Sequence, residues 1–380
     1  MQAWCVTWHC ETLASLECRV TVFDTRVLPV QNYLLVVNDS RSMEYFVTGA
    51  TGLVGTHVVE DLVAGGDDVV ALTRSRSNAS HLPAEVRVVE GDITEKETMR
   101  EPMADVDGVF HMAAWFYVGP GPRETETAEQ INVEGTRNVL ELMDELDVPR
   151  GVYTSTVGIY PGTSGHPVDE TVDPECPTFA VYFRTKWEAH YEVAKPMMEE
   201  GLPLVVVQPG AVYGPHDKPY GSARAAFRDY LREALPIVPR NWMIPFDYAG
   251  DAARAHVLAM EKGEPGEEYI VASEPRTMDD VLGRAEAITG IPAPRTAPDW
   301  VFGALGTVMR GVERITTPPE GLEAEMMDFF AGRQYLVDNE KARRELGIEH
   351  RSLEDGLREY LAWEVDQLGM DVEIEQPANA

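Results

Sequence analysis

Tyr182 and Lys186 stand four residues apart in the run Tyr182-Phe183-Arg184-Thr185-Lys186. On a helix, positions i and i+4 share a face, so the phenol and the ammonium are delivered to one place. A free tyrosine titrates near ~10, too high for proton exchange at neutral pH. A neighbouring ammonium favours the phenolate and draws that value toward the working range. The pair is therefore a candidate acid–base couple, with Tyr182 as the residue that moves the proton. Upstream, the apolar run Gly151-Val152-Tyr153 ends in three hydroxyls, Thr154-Ser155-Thr156, one of which can hold a reacting oxygen.

A second constellation is Thr48-Gly49-Ala50-Thr51-Gly52-Leu53-Val54-Gly55, which comes after a strand-like run and opens a helical one. Gly49 suits a tight turn, Gly52 lets backbone approach a pyrophosphate, and Gly55 lets helix and strand pack closely. The helix N-terminus then offers free N–H groups to phosphates, with Thr51, Gly52, Leu53 and Val54 nearest.

Both constellations need a scaffold that brings strand ends and helix starts together. From Met43 the sequence alternates short apolar runs with helical periods, the pattern of a parallel α/β sheet. Strands are expected at 44–48, 68–73, 86–90, 108–111, 151–155 and 203–208, with helices near 53–65, 95–103, 126–146 and 180–200. After 208 the prolines Pro209, Pro215, Pro219, Pro236, Pro239 and Pro245 break the pattern. The expected fold is a Rossmann-type doubly wound parallel sheet over 43–208, with 243–262 returning to it. Residues 209–242 and 263–370 form a smaller, mostly helical C-terminal substrate lobe, and 371–380 a polar tail.

Residues 1–42 read differently from the rest. They hold four acids (Glu11, Glu17, Asp24, Asp39) and three of the four cysteines, whereas the chain as a whole carries 64 acids against 32 bases. Met43 is expected to be the natural start, the preceding segment being a non-native or disordered extension. The alternative is a genuine extension that adds a strand from Val20–Phe23 or Leu34–Val37.

The net charge of −32 opposes binding to nucleic acid or an anionic membrane. Only six of the bases are lysine, and the acids are spread along the chain rather than gathered in a tail. A surface suited to high salt, in the cytoplasm of a halophile, is the expectation, against the plainer one of an acidic mesophilic protein. No run reaches the ~20 apolar residues that a membrane span needs. The four cysteines show no metal-ligand spacing with histidines, and no metal is expected. Cys176, between Glu175 and Pro177, reads as a passive thiol.

The glycine spacing GxxGxxG resembles the short-chain dehydrogenase/reductase superfamily, and 43–368 resembles its extended branch, the NAD-dependent epimerase/dehydratase family. The resemblance rests on Gly91-Asp92-Ile93, Val109 to Ala114, Asn132-Val133-Glu134-Gly135-Thr136, Pro209 to Pro215, Asp251 to His256 and Lys341 to Gly347. It implies that Asp92 and Ile93 sit at the adenine, and that Met112, Ala113 and Ala114 lie along the cofactor ribose, with Pro209 also at the cofactor. His111 matches a structural position, and Asn132 one that ties elements together through backbone contacts. Aligning Tyr160 with the family pattern makes Thr156 the catalytic hydroxyl, with Ser155 as support or substitute. Lys186 would also bond the nicotinamide ribose. The family further implies a homodimer through the helices over 126–146 and 180–200.

An NAD site commonly places an acid at the end of the second strand. Here Val69-Val70-Ala71-Leu72-Thr73 runs into Arg74-Ser75-Arg76, with no acid until Glu85. Arg74 could pair with a 2′-phosphate, so NADP(H) is expected ahead of NAD(H). Nucleotide-sugar members of the family commonly read Arg-x-x-Asn where this chain has Gln208-Pro209-Gly210-Ala211. The remainder looks more like the dihydroflavonol-reductase-like branch. Three functions stand in that order: reduction of a small carbonyl or oxidation of its alcohol, sugar epimerisation or dehydration with tightly held NAD, and non-catalytic nucleotide sensing. Trp115, Phe116 and Tyr117 either line the substrate cleft or pack.

Overall fold

The computed structural model describes residues 5–9, 19–23, 33–34 and 42–374, apart from 117–121, 161, 164, 218–221, 317 and 319–321. The chain falls into two compact units, Met1–Ser42 and Met43–Ala380. In the first, Cys5–His9, Arg19–Phe23 and Tyr33–Leu34 pair antiparallel into a small sheet of their own. Residues 35–37 lie outside the described residues.

The second unit holds a seven-stranded sheet: β1 (Glu44–Thr48), β2 (Asp68–Thr73), β3 (Arg87–Glu90), β4 (Gly108–His111), β5 (Gly151–Thr154), β6 (Leu204–Gln208) and β7 (Glu268–Ile270). Their spatial order is β3-β2-β1-β4-β5-β6-β7, and every neighbouring pair is parallel. The order reverses between β1 and β4, which opens a crevice at their C-terminal ends where such sheets take ligands.

Period-two alternation explains why the strands are apolar on both faces. Tyr45, Val47, Val69, Ala71, Phe110, Val152, Val205 and Val207 pack on one side, against helices Leu53–Gly65 and Ala249–Lys262. Phe46, Val70, Leu72, Val109, Tyr153, Leu204 and Val206 pack on the other, against Met99, Val139, Leu140, Met143, Ala189 and Val193.

The two long helices on that second side are not continuous α-helix. One runs Pro122–Ala128, a π-helical turn Glu129–Glu134, then Gly135–Glu145. The other runs Val181–Glu188, a π-helical turn Ala189–Ala194, then Lys195–Glu199. A π turn takes one more residue than an α turn and rotates the rest of the helix onto a new face; such turns recur at functional sites. The two π turns lie against each other and carry Asn132 and His190.

The lobe is helical, as at Ser222–Leu231, Met278–Thr289 and Leu353–Leu368, but it also contains two small sheets that the sequence expectation lacked. Ala211–Tyr213, Met243–Tyr248 and Pro275–Thr277 form one, and Ile237–Pro239 with Arg295–Ala297 the other. Strand Met243–Tyr248 thus pairs with Ala211–Tyr213 and Pro275–Thr277 and not with the seven-stranded sheet, while the helix after it packs on the large sheet. Among the described residues no helix is long and apolar enough to cross a membrane.

Candidate active site

The glycine turn is fixed by sterics. Gly49 has φ +76°, and a Cβ there would lie 2.6 Å from Ala113 N and 2.7 Å from Met112 C. A Cβ on Gly55 would lie 2.1 Å from Gly49 O. Only hydrogen fits at either position, and the fit brings the turn against 112–114. The contact is completed by Met112 N donating to Thr48 O (3.1 Å) and Ala113 N to Thr48 Oγ1 (3.3 Å). Gly52 caps helix Leu53–Gly65 in extended conformation, with no side-chain cap bond, so the first-turn N–H groups remain available to an anion. This cradle of bare backbone fits a dinucleotide's phosphates.

Arg74 is exposed where β2 ends, and Arg76 begins a short 3₁₀ turn beside it. Among the described residues, no carboxylate lies within ion-pair distance of either guanidinium. Asp92 Oδ1 accepts from Thr94 N and Thr94 Oγ1, both at 2.9 Å. Ile93 is buried with its Cδ1 where a Cβ on Gly135 would sit, so its side chain faces the helix and not the crevice.

At the end of β5 the polar groups interlock. Lys186 is 3% exposed; its Nζ donates to Tyr153 Oη (3.0 Å) and Thr154 O (2.6 Å). Burial pulls its pKa down to about 7. The sequence expectation had Lys186 lowering the pKa of Tyr182. In the structure burial holds the Tyr182 phenol above its ordinary value, while the ammonium is engaged by Tyr153 and Thr154. The edge of the Tyr182 ring meets Phe116, centroids 4.6 Å apart, and Phe116 is 39% exposed. Tyr117 lies outside the described residues.

Thr156 is extended (φ −165°, ψ 149°), and its Oγ1 accepts from Gly158 N at 3.1 Å. Ser155 N donates to Val207 O (2.8 Å) and Val157 N to Pro209 O (2.9 Å), pinning the loop to β6. A Cβ on Gly158 would lie 2.2 Å from the Phe183 ring, so the loop meets the Tyr182 helix directly. Ser155 Oγ is 2.8 Å from His190 Nδ1, which makes it an internal support.

Asn132 Oδ1 accepts from Trp115 N (2.7 Å), and its Nδ2 donates to Trp115 O and Thr185 Oγ1 (both 3.0 Å). His111 bridges Thr48 Oγ1 (2.7 Å) and Thr136 Oγ1 (2.9 Å), and burial lowers its pKa to about 3, so it is a neutral packing residue. Cys176 is a half-buried free thiol whose pKa burial raises. Sequence reasoning missed Tyr153, His190 and Glu268. His190 had a signal: it continues the spacing of Tyr182 and Lys186 by four more residues. Glu268 had none.

A parallel sheet of this order, with a glycine turn at its switch point and a tyrosine–lysine helix beside it, defines a dinucleotide-binding oxidoreductase scaffold. Residues 45–272 match the model of the NAD dependent epimerase/dehydratase family, and the chain belongs to that family. A Synechocystis sp. protein provisionally named dihydroflavonol 4-reductase is 31% identical over 84% of this chain and 94% of its own length. The 2-alkyl-3-oxoalkanoate reductase of Shewanella oneidensis is 27% identical over 82% of this chain and 84% of its own. Among solved structures, gox2253 superposes with a TM-score of 0.73 at 27% identity, covering 87% of this chain and all of that one. The UDP-glucose 4-epimerase of Thermotoga maritima, solved with UDP-glucose, gives 0.69 at 25%, covering 86% and 100%.

Proposed function

We propose that this protein transfers hydride between NADP(H) and the carbonyl or alcohol of a small molecule, with Tyr182 as acid–base residue. The observation that carries the reading is the pair of residues at 208 and 211. Gln208 is fully buried and engaged by Tyr160 Oη (3.2 Å) and Glu268 Oε2 (3.1 Å), and the Ala211 side chain has no donor. Neither can meet a sugar nucleotide's diphosphate. Of the four arginines that could compensate, Arg224 and Arg228 are paired with the buried Glu364 at 2.8 and 3.0 Å, while Arg232 and Arg240 are exposed and make no ion pair among the described residues. Phe116 beside Tyr182 adds apolar surface that suits a carbonyl carrying an aromatic or alkyl group better than a hydroxyl-rich sugar.

The bound nicotinamide supplies or accepts the hydride. Tyr182 gives its proton to the substrate oxygen, or takes it in the reverse direction. Thr156 fixes that oxygen by hydrogen bonding, and Lys186 would bond the nicotinamide ribose. Arg74 and Arg76 are exposed with no carboxylate on either guanidinium among the described residues, although Glu90 Oε1 accepts from Arg76 N at 3.1 Å, and the two free guanidinium groups support the 2′-phosphate over a bare ribose. A screen of carbonyls with NADPH, read by loss of its absorbance, tests the reading directly. Micromolar binding of UDP or dTDP in calorimetry, with no net cofactor turnover, would replace it with an epimerase.

A further inference from the structure

Beneath the hydroxyl loop lies a chain of buried polar side chains drawn from four separate segments. Ser155 Oγ is 2.8 Å from His190 Nδ1, and His190 Nε2 is 3.1 Å from Glu268 Oε2. Glu268 Oε2 also accepts from Gln208 Nε2 at 3.1 Å, and Gln208 Oε1 from Tyr160 Oη at 3.2 Å. Ser155 is 2% exposed, and His190 and Gln208 are wholly buried. Serine, histidine and carboxylate in this sequence form the connectivity of a nucleophile triad. Here the serine is enclosed, so no substrate reaches it, and the arrangement acts on the loop instead.

The acid sets the direction of the bonds. Burial alone would raise the Glu268 pKa, but His190 with Lys195 and Lys341 outweighs burial and holds it below the usual carboxylate range. A charged Glu268 takes the proton-bearing Nε2 of His190 as partner. The 3.1 Å approach of Nε2 is off the ideal hydrogen-bond line, so the contact sets an N–H dipole of the neutral ring against the carboxylate and is not an ion pair. Nδ1 is then the acceptor, and Ser155 Oγ–H donates to it. Thr156 is next and extended, so its side chain leaves the loop on a different side from Ser155, with Oγ1 accepting from Gly158 N and not from the His190 network. Locking Ser155 inward therefore locks Thr156 outward.

We infer that His190, backed by Glu268, is a positioning residue for Thr156. It sets the orientation of the substrate-holding hydroxyl from inside the fold, through Ser155. The π turn Ala189–Ala194 makes this arrangement possible, because it brings a residue of the Tyr182 helix under the loop that carries Thr156. The inference rests on the roles given to Tyr182 and Thr156 above.

The test pairs a kinetic cycle with a readout that needs no turnover. With ethyl benzoylacetate and NADPH, His190→Leu should lower kcat about ten-fold, the effect of one lost buried hydrogen bond, and leave the NADPH dissociation constant within two-fold. In a Thr156→Ala background the same substitution should cost nothing further, because the group it positions is gone. His190→Gln, which keeps a polar group of similar reach, should recover part of the loss; it also serves if the leucine variant folds poorly. Independently, amide exchange at Gly158, whose N–H binds Thr156 Oγ1, should quicken in His190→Leu and in Ser155→Ala to the same extent. Additive kinetic losses, or weakened NADPH binding in step with kcat, would make His190 merely structural. Unchanged exchange at Gly158 would overturn the inference even if the wild type reduced no carbonyl, whereas quickened exchange without turnover would sink only the reductase reading.

Discussion

The glycine turn after β1 and the hydroxyl loop after β5 end parallel strands of one sheet, yet they are held by opposite means. The turn is shaped by missing atoms: Gly49 and Gly55 sit where a Cβ would collide with backbone that cannot yield. The loop is shaped by side chains, with Ser155, His190, Glu268 and Gln208 beneath it and Phe183 against Gly158. A steric device fails at the first added carbon, whereas a hydrogen-bonded one degrades by degrees. Cofactor binding should then be all-or-none in its sensitivity to substitution, and turnover graded.

The largest effect that separates the two regions is expected from Tyr182→Phe. Turnover should fall by about 10²- to 10⁴-fold, the usual contribution of a positioned proton donor, with cofactor affinity within a few-fold. A residual rate above a tenth of wild type would remove Tyr182 from the chemistry. Gly49→Ala should do the reverse and weaken NADPH binding by about 100-fold, since left-handed strain of ~1–3 kcal/mol adds to the clash with Ala113. Fluorescence titration of the reduced cofactor reads this. Retained affinity would mean that the turn has slack.

Arg74→Asp should shift preference from NADPH toward NADH by about ten- to a hundred-fold, the worth of a charge-assisted hydrogen bond of roughly 1.5–3 kcal/mol. Equal affinity of the wild type for both cofactors would remove Arg74 from the site. The smallest effect concerns stability. The folded pKa of Lys186, about 7 against an ordinary 10.5, means that between these values the unfolded chain holds a proton that the folded one lacks. Stability of the cofactor-free protein should therefore rise with pH across that window, with a ceiling of about 1.4 kcal/mol per pH unit. Chemical denaturation of Lys186→Met from pH 7 to 10 should show that part of the slope gone. Parallel slopes in the two proteins would mean that Lys186 stays charged in the fold.

Much of the scaffold was legible because local and tertiary signals agree. Helix Leu53–Gly65 was readable to the residue, with Gly52 before it and Gly66 in left-handed conformation after it. Strands β1, β2 and β4 were readable because their apolar runs are bounded by polar or glycine residues. β7 escaped notice because three residues are too few to display a period, and the lobe strands are equally short and mixed with prolines. The π turns were hidden because one added residue in a helix of twenty barely disturbs its apolar stripe. At the site, the residues that chemistry marks by type and spacing, Tyr182, Lys186 and the glycines, were visible in sequence. The support under Thr156 was not, because its partners come from 155, 190, 208 and 268 and meet only once the sheet is assembled.

Gln208 has a consequence for how this protein can change over evolutionary time. Gln208, where the motif of nucleotide-sugar members would put an arginine, is in this chain a strut between Tyr160 and Glu268. A mutation to arginine would not simply add a ligand contact. It would place a long cation beside Glu268, compete with His190 for that carboxylate, and loosen the loop that presents Thr156. If the proposed carbonyl chemistry holds, a lineage moving from it toward sugar nucleotides would cross a fitness valley unless 190 and 208 changed together. Such epistasis makes substrate preference here resistant to single substitutions, and a library that varies 190, 208 and 268 jointly is the place to look for a route across.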